Sequence, residues 1–224
     1  MLNKQVASAA EALKDVKDGS TVLLGGFGMV GHPMHLIEGL LEQGATDLTV
    51  VANNAGNGRT ALPRLMEAGR VRKLICSFPR TAEVFSRLYA AGKLELEIVP
   101  QGTLAERLRA AGAGIGGFYT RTAVGTLLAE GKESKIIDGE EYLLEKPLHG
   151  DVALVEAWQA DRWGNLTYRT TGRNFNPVVA TAGKLTVAQA QHIVPLGELN
   201  PDHIVTPSIF VDHVVHVPYG DPHW

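Results

Sequence analysis

The chain has 224 residues, the length of one domain or slightly more, and its 45% hydrophobic and 20% charged residues are an ordinary globular composition. Lys and Arg total 21 against 24 acidic residues, so no basic excess argues for nucleic acid or an anionic membrane as partner. A single cysteine, Cys76, excludes an internal disulfide, and no apolar run approaches the roughly 20 residues of a membrane span.

Met1 to Gln5 carries no apolar signal core, and a cytoplasmic protein is expected. Val6, Ala9, Ala10, Leu13 and Val16 recur at helical spacing, with Asp18-Gly19 as the stop. Thr21-Val22-Leu23-Leu24 then reads as a strand buried on both faces, because its apolar run has no polar alternation. Four glycines follow within seven residues (Gly25, Gly26, Gly28, Gly31), and Pro33 stands where a helix begins. Strand, glycine turn and helix start are the ligand edge of a parallel sheet. Gly26-Phe27-Gly28-Met29-Val30-Gly31 also fits the dinucleotide pattern G-x-G-x-x-G, which needs an acidic residue at the end of the next strand. That strand, Asp47 to Ala52, ends instead in Asn53-Asn54, so a nicotinamide cofactor is discounted.

Further on, helices are predicted around Met34 to Leu41, Leu62 to Ala68, Glu83 to Ala91 and Leu104 to Ala111, and strands over Val71 to Ser77 and Leu94 to Val99. Such alternation with short loops means a mostly parallel sheet covered on both faces. Ala111 to Gly117 is too rich in glycine for a regular element and is read as a ligand-edge or flexible loop. Asp138-Gly139 predicts a β-turn, and Val152 to Trp158 with Leu166 to Arg169 predicts a hairpin around Asp161 to Asn165. Strand runs close the chain at Leu185 to Ala188, His192 to Leu196 and His213 to Val217. With no repeat or linker, residues 1–224 are expected to form one domain, an open α/β sheet with antiparallel additions in its C-terminal half.

Reactive groups are scarce. Cys76 lies in an apolar strand and reads as a small core residue. Neither G-x-S-x-G nor a P-loop occurs, and the eight histidines have no zinc-like spacing. Asn53-Asn54 and Gln101 each follow a strand, where they either form turns or offer neutral hydrogen bonds to a carbonyl or oxyanion. The pattern describes a site that binds and polarises and lacks an evident nucleophile.

These stretches together resemble the A (alpha) subunit of the family I 3-oxoacid coenzyme A-transferases. The resemblance rests on Asp18 to Pro33, Asn53-Asn54-Ala55-Gly56-Asn57-Gly58, Val99-Pro100-Gln101-Gly102, Gly125 to Glu133, Gly164 to Arg169 and Arg173-Asn174-Phe175. Cys76-Ser77-Phe78-Pro79-Arg80 is similar to the branch acting on 3-oxoadipate, in aromatic catabolism; acetoacetate or another short-chain acid is the alternative acceptor. The resemblance implies a CoA-transferase-like fold and a ping-pong transfer from succinyl-CoA through a glutamyl-CoA thioester. The attacking glutamate lies in a partner B subunit, in a Ser-Glu-Asn-Gly stretch that this chain lacks. A heterodimer or heterotetramer is therefore expected, with no catalytic residue in this chain, no metal, no permanently bound cofactor, and a CoA thioester as substrate. Gly25, Gly26, Phe27 and Gly28 would form the turn beneath the substrate, while Asn53, Asn54, Gln101 and Gly102 line the pocket. Arg80, just past a strand end, either reads a substrate's distal carboxylate or pairs with Glu83. Departures from the family pattern are Arg121 for Pro, Ala123-Val124 for Gly-Tyr and Asn176 for Gly, all expected near the glycine-rich loop. From another functional class, a non-catalytic sensor of acyl-CoA or sugar phosphate is the competing reading.

Overall fold

The computed structural model describes residues 2–218. In chain order, β1 (Gln5–Val6), α1 (Ala9–Leu13), β2 (Thr21–Leu24), α2 (Met34–Gln43), β3 (Leu48–Asn54), α3 (Leu62–Glu67), β4 (Val71–Phe78), α4 (Glu83–Ala90), β5 (Glu95–Ile98) and α5 (Gln101–Gly112) alternate. The remainder contains β6 (Phe118–Thr120), β7 (Ser134–Ile137), β8 (Glu140–Glu145), β9 (Gly150–Ala160), β10 (Leu166–Thr167), α6 (Asn176–Ala182), β11 (Gly183–Ile193) and β12 (His213–His216). The main sheet has the order β1-β12-β11-β9-β2-β3-β4-β5, parallel throughout, with β10 added antiparallel to β9. A second sheet, β6-β8-β7, is antiparallel.

Two outward progressions start from the middle of the main sheet, one from β2 to β5 and the other from β9 to β12. A right-handed crossover covers opposite faces when the direction reverses. Helices α1 to α4 accordingly bury Leu13, Leu36, Leu40, Leu65 and Phe85 on one face. On the other, α5 and α6 bury Leu104, Leu108 and Val179. Val22 and Leu24 join the first core and Leu23 the second, which accounts for the unbroken apolar run of β2. The progressions meet between β2 and β9. That junction is a topological switch point, and parallel sheets take ligands outside the carboxyl ends of the strands there. Among the described residues, no helix is long and apolar enough to cross a membrane.

Several boundaries depart from the sequence expectations. Val6 belongs to β1, which pairs in parallel with β12, because Ser8 caps α1 by accepting from Glu11 N and sets the helix start beyond it. His192 to Leu196 is no separate strand: β11 runs unbroken to Ile193, and His192 pairs in register with Gln159 of β9. Asn53 and Asn54 are the last residues of β3, and Gln101 and Gly102 the first of α5. The glycine-rich loop is not at the ligand edge. Helix α5 starts beyond the end of β5 and returns along the sheet for 12 residues, so Ala113 to Gly117 lie toward the opposite edge. Arg121 is there with the small sheet, paired with Glu140 at 2.9 Å, whereas Asn176 is at the switch point, at the other end of α6 from Thr181, which packs on Gly112. The Asp138-Gly139 turn joins β7 to β8, with positive φ at both residues (51° and 81°) as a two-residue hairpin of this kind requires.

Candidate active site

The glycine stretch after β2 is a tight hairpin in which Phe27 and Val30 exchange both backbone hydrogen bonds (3.0 and 3.1 Å). Gly28 is at its bend, and Phe27 and Val30 are about half exposed (51% and 48%). Two asparagines from far along the chain brace it. Asn174 Oδ1 accepts from Gly26 N at 3.1 Å, and its Nδ2 donates to the Val30 carbonyl at 3.0 Å. Asn176, fully buried, donates from Nδ2 to the carbonyls of Gly31 (2.8 Å) and Gly172 (2.9 Å) and accepts at Oδ1 from Glu156 N (2.9 Å). Its side chain occupies the space where Gly25 has no Cβ: a Cβ there would be 1.8 Å from Asn176 Oδ1. Gly31 has φ +64°, and a Cβ on it would be 2.5 Å from the Gly172 carbonyl oxygen. A hollow of about 360 Å³ beside the hairpin is lined by Phe27, Val30, Thr171 and Asn174.

On β3, two strands from β9 and at the same carboxyl edge, Asn53 Oδ1 accepts from Gln101 Nε2 at 2.6 Å. No group among the described residues accepts from Asn53 Nδ2, although Asn53 is only 5% exposed. Asn54 is on the other face of β3, as the period of two demands, and its Oδ1 closes a turn by accepting from Gly56 N at 2.8 Å. The Asn-Asn stretch thus divides into one residue facing Gln101 and one shaping the loop. Gly102 has open space where its Cβ would be, so nothing packed in this chain requires a glycine there.

Glu156, His32 and Cys76 are each held back from chemistry. Glu156, which sequence reasoning passed over, has amide donors at both oxygens: Gln191 Nε2 to Oε1 (3.0 Å) and Gln189 Nε2 to Oε2 (3.3 Å). Burial raises its carboxyl above the usual carboxylate range. Gln189 Oε1 also accepts from His35 N and Leu36 N (3.1 and 3.2 Å), doing for α2 what Pro33 at its N-cap cannot. His32 packs under Gly26, and burial pushes its imidazole down to about 4, leaving it neutral near pH 7. Cys76 is buried in the core, its thiol pushed up to about 12 by burial, so no thiolate forms. Arg80 is on the short turn Pro79–Thr81 after β4, exposed, and forms no ion pair among the described residues, with Glu83 or any other acid.

Compared with known proteins, residues 6–217 match the family described as "Coenzyme A transferase". The chain is 57% identical to the A subunit of 3-oxoadipate CoA-transferase from Pseudomonas putida, over 97% of this chain and 95% of that protein. It is 55% identical to the A subunit of the Acinetobacter baylyi 3-oxoadipate CoA-transferase, over 97% of this chain and 96% of that protein. Among solved structures, an acyl-CoA transferase of Escherichia coli O157:H7, in a thioester complex with CoA, superposes with a TM-score of 0.86 at 24% identity. It covers 97% of this chain, which spans only 49% of that longer polypeptide; the likeness is one of fold.

Proposed function

Since the chain belongs to the coenzyme A transferase family, we propose that it is the A subunit of an enzyme moving CoA from succinyl-CoA to a 3-oxo acid, with 3-oxoadipate the preferred acceptor. A second polypeptide supplies the attacking glutamate, and residues 1–224 act as one domain beside it. One observation carries the reading: a braced glycine turn and a neutral amide pair share the carboxyl edge of the sheet, where Cys76 is a buried thiol and both oxygens of Glu156 are engaged. The arrangement suits holding and polarising a carbonyl rather than attacking one.

In this reading the partner's carboxylate adds to the thioester carbonyl, and the negative charge arriving on that oxygen is met by the amide N–H groups of Gln101 and Asn53. CoA leaves as the thiolate and returns to the glutamyl carbonyl, displacing succinate. The acceptor carboxylate then repeats the exchange in reverse. The hairpin from Gly25 to Gly28 bounds the pocket below, Asn54 fixes the loop at its rim, and Gly102 leaves room for the ligand beside the start of α5. Co-expression with the companion chain, followed by an assay of succinyl-CoA-dependent thioester formation on 3-oxoadipate and acetoacetate, tests the proposal. Full-speed exchange by this chain alone, or a thioester trapped on one of its own side chains, would overturn it.

Arg80 is assigned to the distal carboxylate of a dicarboxylic acceptor. With no acid among the described residues at 4 Å or less, its guanidinium is available for two-pronged contact. Arg80→Met is expected to lower kcat/KM for 3-oxoadipate about 30-fold while changing the value for acetoacetate less than about threefold, from the usual strength of a hydrogen-bonded charge pair. Equal losses on both acceptors would remove Arg80 from that role.

A further inference from the structure

Strand β4 presents a polar group that its own fold does not use. Ala52 of β3 pairs with Cys76 of β4 and Asn54 pairs with Phe78, so Asn53 and Ser77 are neighbours on one face of the sheet. It is the face of Val51 and Ile75, which bury against α5 and α6, and the face toward which Gln101 reaches to bond Asn53. The Ser77 hydroxyl oxygen has no accessible surface and no hydrogen-bond partner. A buried hydroxyl left unpaired is unfavourable by about 1–3 kcal/mol. Nothing in the packing demands it, since Ile75, the residue next before it on this face, is aliphatic. A position that tolerates such a group without structural return marks one kept for a ligand.

We propose that Ser77 is a third neutral donor of the site, its hydroxyl bonding the same substrate oxygen that Gln101 and Asn53 polarise; the inference rests on the transferase reading above. The bond sought is O–H to the carbonyl oxygen as it gains negative charge, with no proton transferred and no covalent bond made to the serine. Three donors from β3, β4 and α5 would then surround one oxygen, each without the positive charge that would hold the released carboxylate too tightly. Rotation about the Ser77 Cα–Cβ bond, between staggered positions, is the motion that would turn the buried hydroxyl toward a bound oxygen.

The test compares Ser77→Ala, Ser77→Cys and Ser77→Thr with the wild-type chain, each reconstituted with its companion subunit. Ser77→Ala and Ser77→Cys are expected to lower kcat about 10- to 100-fold, with KM for succinyl-CoA changed less than about threefold. Ser77→Thr, which keeps the hydroxyl, is expected to recover part of kcat. Melting temperature separates this from a structural role: Ser77→Ala should leave Tm unchanged or raise it, because it removes an unpaired buried group. Wild-type kcat in Ser77→Ala, or a fall in Tm matching the loss of activity with no recovery in Ser77→Thr, overturns the serine's role while leaving the transferase reading intact. A wild-type complex that transfers no CoA overturns both.

Discussion

Gln101→Ala, in the complex with the companion subunit, is expected to lower kcat by about 10²- to 10³-fold, the usual effect of removing one donor to a developing oxyanion. Gln101 is exposed, and its truncation should let water reach Asn53 Oδ1, the buried acceptor of its one side-chain bond. Stability should therefore fall by less than about 1 kcal/mol, and Tm separates a chemical from a structural loss. Gln101→Glu sharpens the test. It keeps the shape, but puts an anion against Asn53 Oδ1 and against two incoming carboxylates. Its kcat should be no better than that of Gln101→Ala, and its KM for the acceptor acid should rise. A threefold or smaller effect of Gln101→Ala on kcat would mean that the charge is met by groups of the other chain.

Gly25→Ala is expected to be the most disruptive single methyl in the molecule. The added carbon would sit 1.8 Å from Asn176 Oδ1 and 3.3 Å from its backbone Cα. The amide can yield only by leaving the Gly31 and Gly172 carbonyls and Glu156 N without their partner. Overpacking and the broken buried network together should lower unfolding free energy by about 3 kcal/mol or more. Asn176→Gly should be destabilising too, for the same three lost bonds, but it opens the space that the methyl needs. The double variant Gly25→Ala/Asn176→Gly is therefore expected to be less damaged than the sum of the two, by about 1 kcal/mol or more in a denaturation cycle. Strict additivity would show that Asn176 and Gly25 are not pressed together.

Much of the architecture is legible in the apolar pattern. Thr21 to Leu24 is a strand to the residue, because burial on both faces leaves an unbroken run between Ser20 and Gly25. Gly44 ends α2 with φ 98°, as a helix-closing glycine does. Less legible are elements whose stability comes from distant pairing. The two residues of β1 have no pattern of their own and are strand only because β12 is beside them. Polar side chains interrupt the apolar run of β11 at Gln189 and Gln191, yet the strand continues because Glu156 and the start of α2 engage both ends of the Gln189 amide and Glu156 accepts from Gln191 Nε2. At the candidate site, Asn53 and Gln101 stand out because amides after strands are unusual enough to notice. Asn174 and Asn176 enter only through the resemblance, and their role is hidden because they act on a glycine turn more than 140 residues earlier. Ser77 looks like a small residue in a core strand until its oxygen is found without a partner.

The position of β2 beside β9 has a consequence for how the molecule is made. The loop after β2 leaves the ribosome well before the segments it leans on, Leu154, Asn174 and Asn176, and the helix that follows is tethered by Gln189. At ordinary translation speeds the interval is on the order of 10–30 s. During that time the half-exposed Phe27 and Val30 are held by nothing downstream, and the closure that finally fixes them spans most of the polypeptide, a topology that folds slowly. A transcript cut short before codon 174 encodes the turn and many of the strands but neither of the asparagines that brace it.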